Sequence, residues 1–300
     1  MTEWRLENLL ADFGQRLSGS GLSGSTIKGY VADLKDFVSW LEGRGRSSPL
    51  STTEDDIREY CQELLVAKNH PAATVNRRLQ AMRKFFRYAL EASLIDEDPS
   101  SQVKLLPQNR SDGRRGLQPG EVDSFLRAVR RGGSKLATRD YAIVQLMLQT
   151  GIRVGELTRL KLSDIQWSGE KGFLRVGGEG TSEGRQIPLN RSVRKALRSY
   201  LVETDRSPGD HLFLSIKGEP LSARSVQRLV SSYAEAAGLK DVSTYSLRQT
   251  CGQRLLSDTG DLSLVARLMG HKRLESAIRY ILPGHEDASE LAEKSSLNVY

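Results

Sequence analysis

The chain has 300 residues, of which 38% are apolar and 27% are charged, so it is long enough to form two domains with packed cores. Its net charge of +7 and its isoelectric point near 9.4 favour a polyanionic partner over an acidic small molecule. Its two cysteines lack the spacing of a disulfide framework or a zinc site, and the sequence has neither an apolar N-terminal signal nor a run of about 18 apolar residues. We therefore expect a soluble, cytoplasmic protein with no membrane partner.

Residues 1–105 show helical periodicity with short polar breaks and no strand pattern. Four helices are expected, over 6–18, from Thr26 (with Ser25 beside it) through Leu41, over 54–67 and over 73–92. They predict an all-α N-terminal domain. Its 14 basic and 15 acidic side chains nearly cancel, so the rest of the chain carries a net charge of about +8.

The fourth predicted helix combines an apolar stripe with a basic face. The stripe consists of Val75, Leu79, Met82, Phe86 and Leu90. Residues 74–88 contain no acidic side chain, so one face can pack while the other contacts DNA phosphates or the major groove. A solvated basic face is the alternative. The DNA-binding candidates of this helix are Arg77, Arg78, Arg83, Lys84 and Arg87.

The segment from Pro99 to Pro119 is rich in proline, glycine and small polar residues and has no hydrophobic period. We place a linker at 106–118 within it. Arg114 and Arg115 of this linker are further DNA-binding candidates.

Residues 119–300 predict a mostly helical domain with one small antiparallel sheet. Helices are expected near 120–132 and 137–150, the second closed by Gly151, and then over 191–203, 222–237, 246–257, 261–269 and 273–281. Two short strands, 173–176 and 186–189, flank the glycine-rich turn GGEGTSEG.

Four side chains of this domain have the chemistry to act on a phosphodiester. The phenol of Tyr280 can attack phosphorus, and the guanidiniums of Arg153 and Arg248 and the imidazole of His271 can bond the phosphate oxygens. Tyr280 lies off the apolar stripe of its predicted helix. Taken singly, each of the four has an ordinary structural explanation, such as an interfacial tyrosine or a capping histidine.

Two of these side chains have supporting neighbours in the sequence. Arg153 starts a predicted helix over 153–162, in which Glu156 lies at i+3 and can hold the guanidinium in place. Arg248 lies in the opening turn of another helix, whose N-terminal N–H groups favour anions.

The segments TGIRVGEL, LRQTCGQRLL and LMGHKRLESAIRYI together resemble the two arginine boxes and the histidine–tyrosine box of the tyrosine recombinases, the phage integrase family. The resemblance covers nearly the whole chain, and the layout is closest to the Xer-type and transposon-resolution members. It implies a mainly α fold, with a SAM-like core-binding domain over 1–105 and a catalytic domain over 119–300.

By this resemblance the chain is a site-specific DNA recombinase that needs no metal, ATP or other cofactor. Tyr280 attacks the scissile phosphate, which gives a 3′-phosphotyrosyl link and a free 5′-hydroxyl. Arg153, Arg248 and His271 stabilise the transition state, and Glu156 positions Arg153.

The resemblance also implies the partners. They are double-stranded DNA with a specific recombination site and a homotetramer in the synaptic complex, with exchange of C-terminal tails (285–300) and an accessory protein as further candidates. A nucleoid-associated location follows from DNA binding.

Three positions depart from the family pattern. Where the family usually has a lysine in the turn between its second and third strands, this chain has Glu179, and Arg185 and Lys171 are the candidate substitutes. Tyr245 replaces the usual histidine or lysine and carries no positive charge at pH 7. Gln249 stands where histidine is frequent.

These departures leave two alternatives to an autonomous recombinase. One is a DNA-binding accessory protein or a catalytically weak relative that needs a partner for activity. The other is a nicking-closing topoisomerase that uses the same chemistry without bringing two duplexes together.

Overall fold

The computed structural model describes residues 6–46, 48–107, 115–133, 136–177, 184–202, 207 and 209–271. The chain divides into two compact units, an N-terminal unit (Met1–Asn109) and a C-terminal unit (Arg110–Tyr300). The predicted fold class, mainly α with a small antiparallel sheet, is confirmed. The described part of the chain contains no helix with the length and apolar character needed to cross a membrane.

The N-terminal unit contains four α-helices, α1 (Leu6–Ser18), α2 (Gly24–Glu42), α3 (Glu54–Val66) and α4 (Ala72–Glu91). Helix α2 begins two residues earlier than predicted, because the hydroxyl of Ser23 accepts the N–H of Thr26 and caps the helix there. Helix α3 begins at a capping box, in which the N–H of Thr53 donates to Asp56 at 2.8 Å.

Aromatic side chains form much of the N-terminal core. Phe13 meets Phe85 edge to face at 5.6 Å, and Phe37 meets Tyr60 at 5.0 Å between ring centroids. The predicted stripe of α4 is buried at Val75, Leu79, Met82 and Phe86. It is wrong at Leu90, which is 41% exposed, because the buried face of the helix continues through Ala89 instead.

Residues beyond α4 remain attached to the N-terminal unit. The side-chain amide of Asn76 donates to the carbonyl of Leu106 and its oxygen accepts the N–H of the same residue, both at 2.8 Å. The guanidinium of Arg83 donates to the carbonyl of Val103, which is buried. The start of the predicted linker is thus held against α4 by a buried amide.

The C-terminal unit contains seven α-helices and three strands in its described part. They are α5 (Pro119–Arg131), α6 (Ala137–Thr150), α7 (Val154–Leu157), β1 (Ile165–Ser168), β2 (Lys171–Val176), β3 (Arg185–Pro188), α8 (Arg191–Val202), α9 (Ala223–Ala236), α10 (Thr244–Thr259) and α11 (Leu262–Met269). Helix α6 is apolar around most of its surface and lies in the core of this unit. The predicted helix over 273–281 lies outside the described residues.

The sheet has the order β1-β2-β3, and both pairings are antiparallel. Strand β1 is absent from the sequence prediction, because only Ile165 of its four residues is buried and no alternating pattern results. In the register, Leu174 of β2 pairs with Ile165 on one side and with Ile187 on the other. This row of three apolar residues faces the core.

The helix predicted over 153–162 is much shorter in the structure. Helix α7 is a single turn, Val154–Leu157, and the chain then pairs with the segment 210–212. The carbonyl of Leu160 accepts the N–H of Leu212 at 2.6 Å, and the N–H of Leu162 donates to the backbone carbonyl of Asp210 at 2.9 Å. These long-range hydrogen bonds replace the helical ones.

We expect Asn76→Ala to destabilise the N-terminal unit by about 2 kcal/mol, because the change leaves the N–H and carbonyl of Leu106 without their partner. Urea denaturation of the full chain measures this, with hydrogen exchange of residues 103–107 as the local readout. Lys84→Ala, an exposed position of the same helix, is the matched control. Equal stability of the two variants would contradict a stabilising role of the Asn76–Leu106 hydrogen bonds.

Candidate active site at the end of helix α11

Two arginines that are 95 positions apart in the sequence converge on the last carbonyls of α11. Arg248 lies in the second turn of α10 and is only 4% exposed. It donates to the carbonyl of Gly151 and, at 2.7 Å, to that of Met269. Arg153, the residue before α7, donates to Met269 at 3.4 Å and to Gly270 at 2.9 Å.

A third arginine completes this arrangement. Arg185 of β3 donates from Nε to the carbonyl of Leu268 at 2.8 Å. The carbonyls at the end of a helix lack intrahelical partners and carry the negative end of its dipole, so they attract cations. We call Arg153, Arg185 and Arg248 the arginine cluster. Three separate segments of the chain thus meet at the end of α11.

Glu156 neutralises part of the charge of the cluster. Both nitrogens Nη1 and Nη2 of Arg185 donate to its two carboxylate oxygens at 2.9 Å, and Arg153 donates from Nη1 at 3.2 Å and from its backbone N–H at 2.8 Å. Burial opposes ionisation of this carboxyl, but the hydrogen bonds and charges of Arg185 and Arg153 lower its pKa to about 2. Glu156 is therefore a carboxylate at neutral pH.

Gly270 is required by the close approach of Arg185. Its φ of +68° is in the left-handed region, as expected for the residue that ends a helix. A Cβ atom at this position would lie 2.6 Å from Nη1 of Arg185 and 2.8 Å from its Cζ. A larger residue would therefore strain the backbone and displace the guanidinium.

His271 follows directly and lies half-buried against the cluster. Its Nε2 is 3.2 Å from Nη2 of Arg248. Since a guanidinium can only donate, Nε2 accepts this hydrogen bond and the ring proton is on Nδ1. Burial and the positive charges of Arg248, Arg153 and Arg185 lower the pKa of His271 to about 4.

Comparison with known proteins agrees with this geometry. Residues 115–286 match the model of the phage integrase family, and residues 9–96 match its N-terminal SAM-like domain. The chain belongs to the phage integrase family. It is 32% identical to the tyrosine recombinase XerC of Myxococcus xanthus over 92% of this chain and 93% of that protein. It is 30% identical to the tyrosine recombinase XerD of Pseudomonas aeruginosa over 87% of both chains.

The fold is shared with solved structures. A lambda integrase dimer bound to a core site aligns with a TM-score of 0.72 at 20% identity, over 94% of this chain and 97% of that chain. All three members of the arginine cluster, with Glu156 and His271, lie in the part that matches the integrase model. The cluster therefore belongs to the integrase domain.

The structure also describes Tyr245 and Lys171, two further predicted site residues of this domain. Tyr245 is partly buried in the first turn of α10, three residues before Arg248. Lys171 begins β2 and pairs with Ser168, whereas Arg185 pairs with Val176 at the other end of that strand. Five residues of extended chain separate the two ends by about 16 Å, so the structure does not bring Lys171 to the cluster.

Some predicted site residues are not among those that the structure describes. Tyr280, Glu179 and Arg114 do not belong to the described residues. Arg115 does, and it forms an ion pair with Glu121, whose pKa is lowered to about 2 by hydrogen bonds from Arg115 and from the backbone of Gln118.

The basic face of α4 is partly neutralised by α2, which a reading of residues 74–88 alone missed. Arg77 forms an ion pair with the buried Asp33, and Arg78 donates to the hydroxyl of Tyr60 at 2.7 Å and to Asp36 at 3.0 Å. Arg83 donates to a backbone carbonyl, as described above. Lys84 and Arg87 are exposed and form no ion pair with another described residue, whereas Arg77 is exposed but paired with Asp33.

We expect the ring of His271 to stay neutral, with its proton on Nδ1, from pH 8 down to about 5, and to titrate near pH 4. Nitrogen-15 NMR of the histidine side chains measures both the tautomer and the titration. Because the folded pKa lies below the ordinary value of about 6.5, the unfolded chain binds the proton first. The stability from the neutral ring is thus present above pH 6.5 and is lost as the pH falls towards 4.

His271→Gln provides the control, since the variant should lose this part of the pH dependence of unfolding. Titration of His271 in the folded protein near pH 6.5 would contradict the contact of its ring with Arg248.

Proposed function

We propose that this integrase-family chain cleaves and rejoins DNA at a specific site, with Tyr280 as nucleophile and the arginine cluster as the phosphate site. The observation that carries the proposal is the convergence at one helix end of Arg153 and Arg248, which donate to its last carbonyls, and of His271, which contacts Arg248. Segments as distant in the sequence as those of Arg153, Arg248 and α11 would not be expected to meet in this way by chance. A scissile phosphate is the anion that such a site suits.

The reaction follows from this chemistry. The phenol oxygen of Tyr280 attacks phosphorus, the bond from phosphorus to the 5′-oxygen breaks, and that oxygen takes up a proton. The product is a 3′-phosphotyrosyl ester and a free 5′-hydroxyl. Attack by the 5′-hydroxyl of a partner strand reverses the steps and exchanges the strands, and the energy retained in the ester makes ATP unnecessary.

The described residues have distinct tasks in this reaction. The side chain of Arg153 is 43% exposed, so its remaining N–H groups are open to a phosphate oxygen. Arg248 is buried, and the carbonyls that it contacts fix the plane of its guanidinium before DNA binds. Donors that are already oriented stabilise developing charge without a reorganisation cost. His271, neutral at pH 7, supplies hydrogen bonding instead of positive charge.

DNA binding and assembly are the further parts of the proposal. Recombinases with this fold include XerH bound to its difH substrate and the Tn1549 transposon integrase in complex with circular intermediate DNA. We infer that this chain binds double-stranded DNA through both domains, the N-terminal one (1–105) clamping the duplex. Exchange between two duplexes needs four active sites, so a homotetramer forms on DNA. Exchange of the C-terminal tails would stabilise it, and the nucleoid would be its location.

A second candidate function is a recombinase that is weak alone and needs a partner or accessory protein. Two observations favour it. Glu179 stands where the family has a lysine. Arg185, one of the substitutes predicted from the sequence, already donates hydrogen bonds from Nη1 and Nη2 to Glu156.

We expect the wild-type chain to form a covalent adduct with a nicked suicide duplex that carries its site, and Tyr280→Phe to form none, because only the tyrosine offers a phenol oxygen at this position. Denaturing gel electrophoresis detects the adduct. Strand exchange between two labelled duplexes then separates a recombinase from a topoisomerase. Tight binding of wild type without any adduct would overturn autonomous catalysis and favour the partner-dependent alternative.

We expect Lys84→Gln and Arg87→Gln each to reduce the slope of log K against log salt for DNA binding by about 1, because each exposed cation that meets a phosphate releases about one counterion. Arg78→Gln is the matched control on the same helix. This variant should lower the stability of the N-terminal unit and leave the salt slope nearly unchanged, since Arg78 is bonded to Tyr60 and Asp36. A larger slope change for Arg78→Gln would contradict the assignment of the binding face.

A further inference from the structure

Arg185 differs from Arg153, the exposed arginine of the cluster, in how many of its donors are bonded within the protein. It donates two hydrogen bonds to Glu156 at 2.9 Å and one to the carbonyl of Leu268 at 2.8 Å. Its side chain is 15% exposed, whereas that of Arg153 is 43% exposed. Arg185 therefore faces the protein, while Arg153 faces solvent.

The contacts of Arg185 argue against a role as general acid. A guanidinium keeps its proton under ordinary conditions, and giving it up beside a bonded carboxylate would also forfeit a charge-assisted, bidentate contact. The side chain is moreover held in place by the backbone of Gly270, which lies against its guanidinium. An acid for the leaving 5′-oxygen needs a proton that can be released and a side chain that can reach the oxygen.

We propose that Arg185 is a positioning residue of the recombination reaction, which satisfies Glu156 and thereby keeps Arg153 available for the scissile phosphate. The inference rests on the proposed function, because it concerns the same phosphate site. Arg185 acts through Glu156 and through the end of α11, and it takes no part in proton transfer.

The physical argument concerns competition for one carboxylate. Glu156 is largely buried and ionised, so its oxygens must be bonded. With Arg185 present, Arg153 contributes one side-chain bond to Glu156, at 3.2 Å. Without it, the cation that already contacts the carboxylate is Arg153, whose guanidinium would turn onto Glu156 and away from the DNA.

The same side chain also fixes the position of His271. Arg185 bonds Leu268 and lies against Gly270, the two residues that surround the end of α11. His271 follows Gly270 directly, and its ring contacts Arg248. Loss of Arg185 would therefore loosen two phosphate ligands at once, Arg153 directly and His271 through the backbone.

The test compares leaving groups in the cleavage reaction. Two nicked suicide duplexes carry either the natural 5′-oxygen or a sulfur atom at the bridging position of the scissile phosphate. A thiolate leaves without being protonated, so the sulfur substrate bypasses the general acid but still needs every phosphate ligand. Single-turnover rates of adduct formation are measured for wild type, Arg185→Gln and Arg185→Lys.

A positioning role predicts that Arg185→Gln cleaves both substrates about 100-fold more slowly than wild type, because a misplaced ligand slows attack whatever group leaves. Arg185→Lys should remain slow on both, since an ammonium cannot bond both oxygens of Glu156 while reaching Leu268. Restoration of Arg185→Gln to the wild-type rate by sulfur, or full activity of Arg185→Lys on the oxygen substrate, would overturn the proposal in favour of an acid. Wild-type rates of Arg185→Gln on both substrates would overturn it as well.

Two controls keep the outcome interpretable. Arg175→Gln removes an exposed arginine of the same sheet, whose ion pair with Asp164 is 3.4 Å long, and should leave both rates unchanged. Thermal unfolding and DNA affinity establish that each variant is folded. The more conservative lysine variant carries the test if the glutamine variant is unfolded. If wild type itself forms no adduct with either substrate, the proposed function fails, whereas sulfur rescue in an active protein refutes only the role of Arg185.

Discussion

The site depends on the meeting of the arginine cluster with the carbonyl end of α11. Three guanidiniums repel one another, and they stay together because the last carbonyls of the helix and the carboxylate of Glu156 face them. Three guanidiniums and one carboxylate leave a net positive charge at this site when no DNA is bound, and such a charge attracts a phosphate. Burial and the same excess charge lower the pKa of His271 to about 4, so its ring is neutral at pH 7 and adds no positive charge to the site.

The fold positions this site through its most buried elements. Gly151 ends α6 with a φ of +61°, and a Cβ there would lie 3.3 Å from Sγ of Cys251 and from Cε of Met269. The carbonyl of this glycine accepts a hydrogen bond from Arg248. One residue thus ends the central helix, packs against α10 and α11, and orients Arg248. Errors in core packing would therefore be transmitted directly to the site.

The sequence was sufficient for the elements that depend on local signals. The helices of both units follow from apolar periodicity and from caps, and the arginine and histidine boxes were recognised from their motifs. The features that the sequence did not show depend on contacts between residues that are far apart in the chain. Helix α7 ends early because the segment 210–212 offers other hydrogen bonds, and α2 supplies Asp33 and Asp36 to a basic helix that contains no acid of its own. The acceptors of the cluster are backbone carbonyls, which no residue type signals.

Because Arg185 is bonded to Glu156, the step of the proposed reaction that most needs an explanation is the departure of the leaving group, not the attack on phosphorus. In the proposed function the two remaining arginines bind the phosphate, while Glu156 and the end of α11 hold these arginines in place. Of the two predicted substitutes for the family lysine, Lys171 lies at the far end of β2 and Arg185 is bonded to Glu156. Within the described residues, neither therefore offers a proton at the cluster. In the proposed reaction, a site built in this way would support binding of the phosphate better than protonation of the 5′-oxygen, and the cleavage rate would be governed by how that oxygen obtains its proton.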